Sequence, residues 1–267
     1  MRGPEKLIEK EDNWQTDLGA SFAGERVVVR GKDLFTELKD LSWHELLLFM
    51  ITGRRFKENE LELLDKFWML AISYPDPRVW NNRVAALAGT VRSTSALGVG
   101  AACSVSEADI YGGKPCSAAV QFFVDLQKKI ESGELLTDCI DSVLEARVLI
   151  PGYGRPISIV DERIKSMEEI IKKSGFSKGK HVQLAYEIER VLVKKNERLR
   201  MNIGGLFAAV AADMGFSAEE YLLWITNGFN AGTTACYADA LDKGEGTLFP
   251  LRSERIKYLG KENRTWT

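Results

Sequence analysis

Residues 151–163 read PGYGRPISIVDER. Pro151 closes the apolar run VLI, Gly152 and Gly154 bracket Tyr153, and Arg155 stands where the backbone has most freedom. On spacing alone the stretch is either punctuation between helices or a loop that meets a ligand. The arginine narrows its chemistry. A guanidinium, with a pKa above ~12, holds an oxyanion or a carboxylate but cannot deliver a proton at neutral pH.

Outward from this loop the pattern is helical. Residues 115–132 and 134–148 before it, and 161–174 and 180–200 after it, carry apolar residues at helical spacing. NIGG (202–205) opens a further helix over 205–214, and Gly215 separates that from a helix expected over 217–242. Upstream, DIYGGKP (109–115) is a second glycine-rich interruption. Residues 79–102 are rich in Ala, Gly and Ser, a composition that lets helices approach closely.

Nearer the N-terminus, residues 58–73 carry Leu61, Leu64, Trp68 and Ala71 on one helical face, stopped by Pro75 and Pro77. Ser42 and Glu45 form a capping box ahead of LLLFMI, and Gly53 ends that helix. This helix is apolar nearly all round, which predicts that it is buried. Only ERVVVRGKDL (25–34) reads as a short strand. The fold class is therefore all-α, with about ten helices, no βαβ alternation and no repeat.

Composition excludes several function classes. Of 267 residues, 45% are apolar and 28% charged; 36 Lys plus Arg against 38 Asp plus Glu leave a net charge of −2. A nucleic-acid or acidic-membrane partner favours a basic surplus, and none exists here. The charged start, MRGPEKLIEKEDNWQTD, has no signal-peptide core, and no stretch nears the ~18 apolar residues of a membrane helix. Cys103, Cys116, Cys139 and Cys236 are scattered without a CxxC pair, which predicts free thiols, no metal site and a cytoplasmic location.

In order, VVVRGKDLFTEL, LSWHELLLFMITGRRFKENELELL, DIYGGKP, PGYGRPISIVDER, MNIGGLFAAVAADMGFS, NGFNAGTTACYADAL and PLRSERIKYLG resemble the citrate synthase superfamily, closest to its short citryl-CoA-lyase-like branch. The resemblance spans about residues 25–260. It implies a helical homodimer with a large domain (1–114 and 201–267), a small inserted domain (115–200) and an active site in the cleft between them. It also implies a CoA thioester as substrate, with no tightly bound cofactor, and an organic acid as the second substrate. By position, Pro151, Gly152, Tyr153 and Gly154 match the loop that cradles CoA, and Lys114 is placed to meet a phosphate. Arg163 matches a carboxylate-binding arginine. Arg252, with Arg255 as the fallback, matches the arginine reached from the partner subunit.

The reactive centre departs from that pattern. The family uses an aspartate to take a proton from the carbon beside the thioester, and two histidines to hold the enolate and polarise the keto oxygen. Here the first histidine position is Tyr111 and the second is Arg155. The aspartate position falls on Gly204, or on Met201 with a different gap, and a later arginine position is Phe229. His44, in the early core helix, and His181, opening a solvent-facing helix, lie on no motif and read as structural or surface residues. Loss of one member of a proton-transfer set typically costs about 10²–10⁴-fold, so ordinary citrate synthesis is not expected.

Two readings follow. One is an enzyme of altered chemistry, with Tyr111 and Arg155 as a rebuilt polar site and Asp109 or Asp239 as replacement base. The other is a non-catalytic binding or regulatory subunit, able to pair with an active paralogue.

Overall fold

The computed structural model describes residues 3–72, 74–146, 148–156, 158–247 and 252–261. In chain order the elements are α1 (Pro4–Lys10), β1 (Gly19–Phe22), β2 (Arg26–Val29), β3 (Lys32–Asp33), α2 (Trp43–Thr52) and α3 (Glu58–Phe67). A π-helical turn, Trp68–Ile72, precedes α4 (Trp80–Thr90), α5 (Ser95–Val105), α6 (Gly113–Glu131) and α7 (Leu136–Glu145). Then come α8 (Arg163–Lys173), α9 (Lys180–Lys195), α10 (Ile203–Asp213), α11 (Ala218–Gly228) and α12 (Asn230–Leu241). The three strands form one small antiparallel sheet in the order β1-β2-β3.

The expected all-α class is the observed one. Contacts divide the chain into two compact units, Met1–Ala71 with Lys114–Ile225, and Ile72–Gly113 with Thr226–Thr267.

The first unit is built around α10. Its sequence, IGGLFAAVAAD, has no polar stripe, and every residue from Gly205 to Ala212 is buried. α9 covers it with one amphipathic face, burying His181, Leu184, Ala185, Ile188 and Leu192 at helical spacing. His181 is therefore not on a solvent-facing helix, as expected from sequence, but at the start of this buried stripe. Phe67 and Phe207 stack with ring centroids 3.6 Å apart, and Trp224 lies within 6.0 Å of both.

The α2 capping box and left-handed Gly53 are present as predicted. The helix is only partly buried, however: His44, Leu48 and Phe49 are inside, whereas Leu46, Leu47, Met50 and Ile51 are half-exposed. Its neutral His44 is held on both ring nitrogens. Trp224 Nε1 donates to His44 Nε2 at 2.7 Å, so the ring proton sits on Nδ1, facing Asp65. His44 is structural, as its place off the motifs suggested.

The second unit packs α4, α5 and α12 through small residues. Ala85, Ala102 and Tyr237 form one cluster, and Ala86, Cys236 and Ala240 another. The close approach predicted for residues 79–102 is direct: a Cβ on Gly98 would lie 2.6 Å from Ala88 Cβ. Arg92 closes the C-terminus of α12, donating to the carbonyls of Leu241 at 2.9 Å and Lys243 at 2.7 Å. The helix expected over 217–242 is two helices, because the chain leaves α11 at Gly228 and restarts after Phe229.

Candidate functional site

Unit one places the opening loop against the N-terminus of α10. Gly152 and Gly205 touch backbone to backbone: a Cβ on Gly205 would stand 2.4 Å from the Gly152 carbonyl oxygen. Only glycine permits that approach. The loop is then pinned. Gly154 N–H donates to the Arg200 carbonyl at 2.7 Å, Asn202 N–H to the Gly152 carbonyl at 2.9 Å, and Tyr153 bridges Met201. Asn202 Nδ2 donates to the Gly154 carbonyl at 3.0 Å, while its Oδ1 accepts from Gly205 N–H at the start of α10. Tyr153 points inward, its hydroxyl donating to the Ala185 carbonyl at 2.7 Å, and burial pushes that phenol far up.

Asp161 sits at the centre of this arrangement with its side chain fully buried. Its carboxylate accepts from Arg163 Nε and Nη2, each at 2.8 Å, and from Ile203 N–H at 2.9 Å. Burial works to raise the Asp161 pKa, but the hydrogen bonds and charge of Arg163 outweigh it and hold the carboxyl below its usual value. Arg163 also donates through Nη1 to the Ala71 carbonyl at 2.9 Å. Arg155 approaches the same centre: its Nη1 lies 3.8 Å from Asp161 Oδ1, and donates to Glu162 at 2.6 Å and the Val160 carbonyl at 2.8 Å.

Gly152, Tyr153, Gly154, Arg155 and Arg163, all singled out from sequence, thus converge on one helix terminus. Gly204 is part of it too. A Cβ there would meet Cys116 Sγ at 3.0 Å and Asn202 Oδ1 at 3.2 Å. The thiol is no ready substitute for a carboxylate base, because desolvation pushes Cys116 up to about 11. Met201, the other position to which the sequence pattern assigned the family's aspartate, is buried in the bridge to Tyr153. Lys114 lies exposed in the first turn of α6 and its carbonyl accepts from Ser117 Oγ.

The remaining candidates belong to the second unit. Tyr111 is 65% exposed, with φ at 61°, in the turn ahead of α6. Arg252 is exposed and precedes the single helical turn Ser253–Arg255. Asp239 pairs with Lys243 one turn away at 2.5 Å.

Sequence reasoning singled out neither Asp161 nor Asn202 as functional groups, and passed over Glu162. Their signal was present in retrospect: an acidic pair directly before a helix, and an Asn ahead of Ile-Gly-Gly, are helix-start chemistry.

A family profile for the C-terminal domain of citrate synthase matches residues 20–240. The structure of citryl-CoA lyase from Hydrogenobacter thermophilus superposes with a TM-score of 0.82 at 22% identity, covering 96% of this chain and 98% of that one. ATP citrate lyase of Methanosaeta concilii, in complex with (3S)-citryl-CoA, gives 0.78 at 16% identity, over 98% of this chain and 45% of that one. Citrate synthase from Thermoplasma acidophilum gives 0.63 at 18% identity, over 85% of this chain and 59% of that one. No curated protein sequence matches this chain. Among the described residues, no helix is long and apolar enough to cross a membrane.

Proposed function

This chain belongs to the citrate synthase family, and on that premise we propose that it acts on a CoA thioester and an organic keto or hydroxy acid, making or breaking a carbon–carbon bond with a non-standard set of residues. The observation that carries the reading is the polar centre at the start of α10. Two guanidiniums, Arg155 and Arg163, face one buried carboxylate there. The centre is charged, and Arg155 still presents N–H donors on Nε and Nη2 with no protein acceptor among the described residues.

In the proposed reaction Arg155 holds negative charge that develops on the acid's oxygen and moves no proton, since a guanidinium stays charged throughout. Tyr111 offers a hydroxyl to the enolate oxygen. Arg163 and Arg252 complete carboxylate binding, and Lys114 and the 151–154 backbone receive CoA. The proposal includes the homodimer, a cytoplasmic setting and the domain division near residues 114 and 200. Calorimetric titration with CoA and acyl-CoAs, followed by product analysis, tests it. Binding of CoA with turnover of an acyl-CoA is the expected result, and no CoA binding at millimolar concentration sinks it.

One observation favours a second reading, a non-catalytic binding or regulatory subunit: Gly204 carries no carboxylate, and its neighbour Cys116 is held protonated. Co-purification from the source cells separates the two. Recovery with an active paralogue supports the subunit reading, and a pure homodimer that turns over an acyl-CoA removes it.

A further inference from the structure

The two arginines of the polar centre are committed to different degrees. Arg163 closes its fork on Asp161 through Nε and Nη2 and sends Nη1 to the Ala71 carbonyl. Arg155 makes its contacts through Nη1 alone, with Val160, Glu162 and Asp161. A guanidinium carries five N–H donors. The three on Nε and Nη2 of Arg155 have no protein acceptor among the described residues.

Its two carboxylate partners differ as well. Asp161 is fully buried and gripped by Arg163 and the α10 amide, so it cannot leave. Glu162 is 71% exposed along its side chain and reaches Arg155 from the solvent side. Among the described residues its carboxylate has no other side-chain partner. A pair this exposed is weakly held, worth about a two- to five-fold population bias.

We propose that Glu162 is a built-in competitor at Arg155: its carboxylate occupies the guanidinium that a ligand oxyanion takes, and the ligand displaces it into water. The inference rests on the acid- and CoA-binding reading above and deepens it by naming Arg155 as the exchangeable anchor beside Arg163, which Asp161 fixes in place. A carboxylate of the acid and a phosphate of CoA share the chemistry that a planar fork recognises. The sign of the effect is the same for both, because removing the nearby negative charge also removes repulsion of an incoming anion.

The test is calorimetric titration of the full chain with citrate and, separately, with CoA. It compares wild type, Glu162→Gln, Arg155→Gln and the double variant, each checked for an unchanged melting transition. Arg155→Met, which also removes the charge at similar length, replaces Arg155→Gln if the latter does not fold. We expect Glu162→Gln to tighten binding by about two- to five-fold. In the Arg155→Gln background the gain disappears, as a double-mutant cycle requires of two groups that act through each other.

A gain for citrate assigns the site to a carboxylate, and a gain for CoA alone assigns it to a phosphate. Binding of either ligand with no gain, or a gain that survives loss of Arg155, overturns the inference and leaves the functional reading standing. Failure of every variant to bind citrate or CoA overturns both.

Discussion

The two ends of α10 face the same physical problem and solve it differently. A helix terminus inside a core leaves backbone groups that need partners. At the C-terminal end Arg54 Nη1 donates to the Met214 carbonyl at 2.8 Å. There Asp213 turns back to accept from His181 N–H and Val182 N–H, each at 3.0 Å, closing the start of α9. At the N-terminal end Asp161 and Asn202 take the amides, yet two guanidiniums and an exposed glutamate remain around them. Asp161 at the start and Arg54 at the finish suit the dipole of α10, while Asp213, its last residue, serves the start of α9. The C-terminal end is a structural joint in which, among the described residues, only Arg54 Nη2 lacks a hydrogen bond, 3.6 Å from Glu220. The other carries more polar groups than capping needs, and that surplus marks the candidate site.

The comparison breaks most severely at Asp161. Asp161→Ala leaves Arg163 facing an empty site and Ile203 N–H unsatisfied, so the expected loss is about 3–5 kcal/mol, read from urea unfolding. A loss under about 1 kcal/mol would mean the centre is not the keystone described. Gly205→Ala comes next: its Cβ has no room beside Gly152, and repacking costs about 1–3 kcal/mol by the same measurement. At the opposite end, Asp213→Ala removes the α9 cap and the 2.9 Å contact to His181 Nδ1, for about 1–2 kcal/mol. Glu162→Gln should change stability by less than about 1 kcal/mol, because the pair is exposed.

Acid sharpens the contrast with a third region. Burial holds His44 below its usual value of 6.5, against the pull of Asp65. The unfolded chain therefore takes up a proton that the folded chain refuses, so the His44 contribution is complete above about pH 6.5 and declines as pH falls below it. Asp161, held below 3.8, keeps its contribution until the pH drops under that value. Thermal melts followed by tryptophan fluorescence should thus show one decline starting near neutrality and a second only in strong acid. Substituting His44→Gln should remove the first and spare the second.

The glycine punctuation, the capping box of α2, the strand Arg26–Val29 and the amphipathic α9 were legible, because each rests on local rules of spacing and backbone freedom; that strand's partners Gly19–Phe22 and Lys32–Asp33 were not. The division at Phe229 was not legible either, although Asn227-Gly228 is a turn-prone pair, because apolar residues continue at helical spacing on both sides of it. His181 misled for a similar reason: one polar residue among Lys180, Gln183 and Glu187 reads as surface until Asp213, distant in sequence, appears beside it. Arg155 and Arg163 were legible as charges. What they hold was not, because Asp161 and Ile203 meet only through tertiary packing.

The backbone contact between Gly152 and Gly205 has a consequence for how such a chain diverges. Neither residue can acquire a side chain while the other stays in place, so the two positions are locked together through descent, whatever happens to the chemistry beside them. A lineage that exchanged its histidines for Tyr111 and Arg155 would still inherit both glycines unchanged. The features by which the ancestry is recognised are therefore those least able to report which reaction survived.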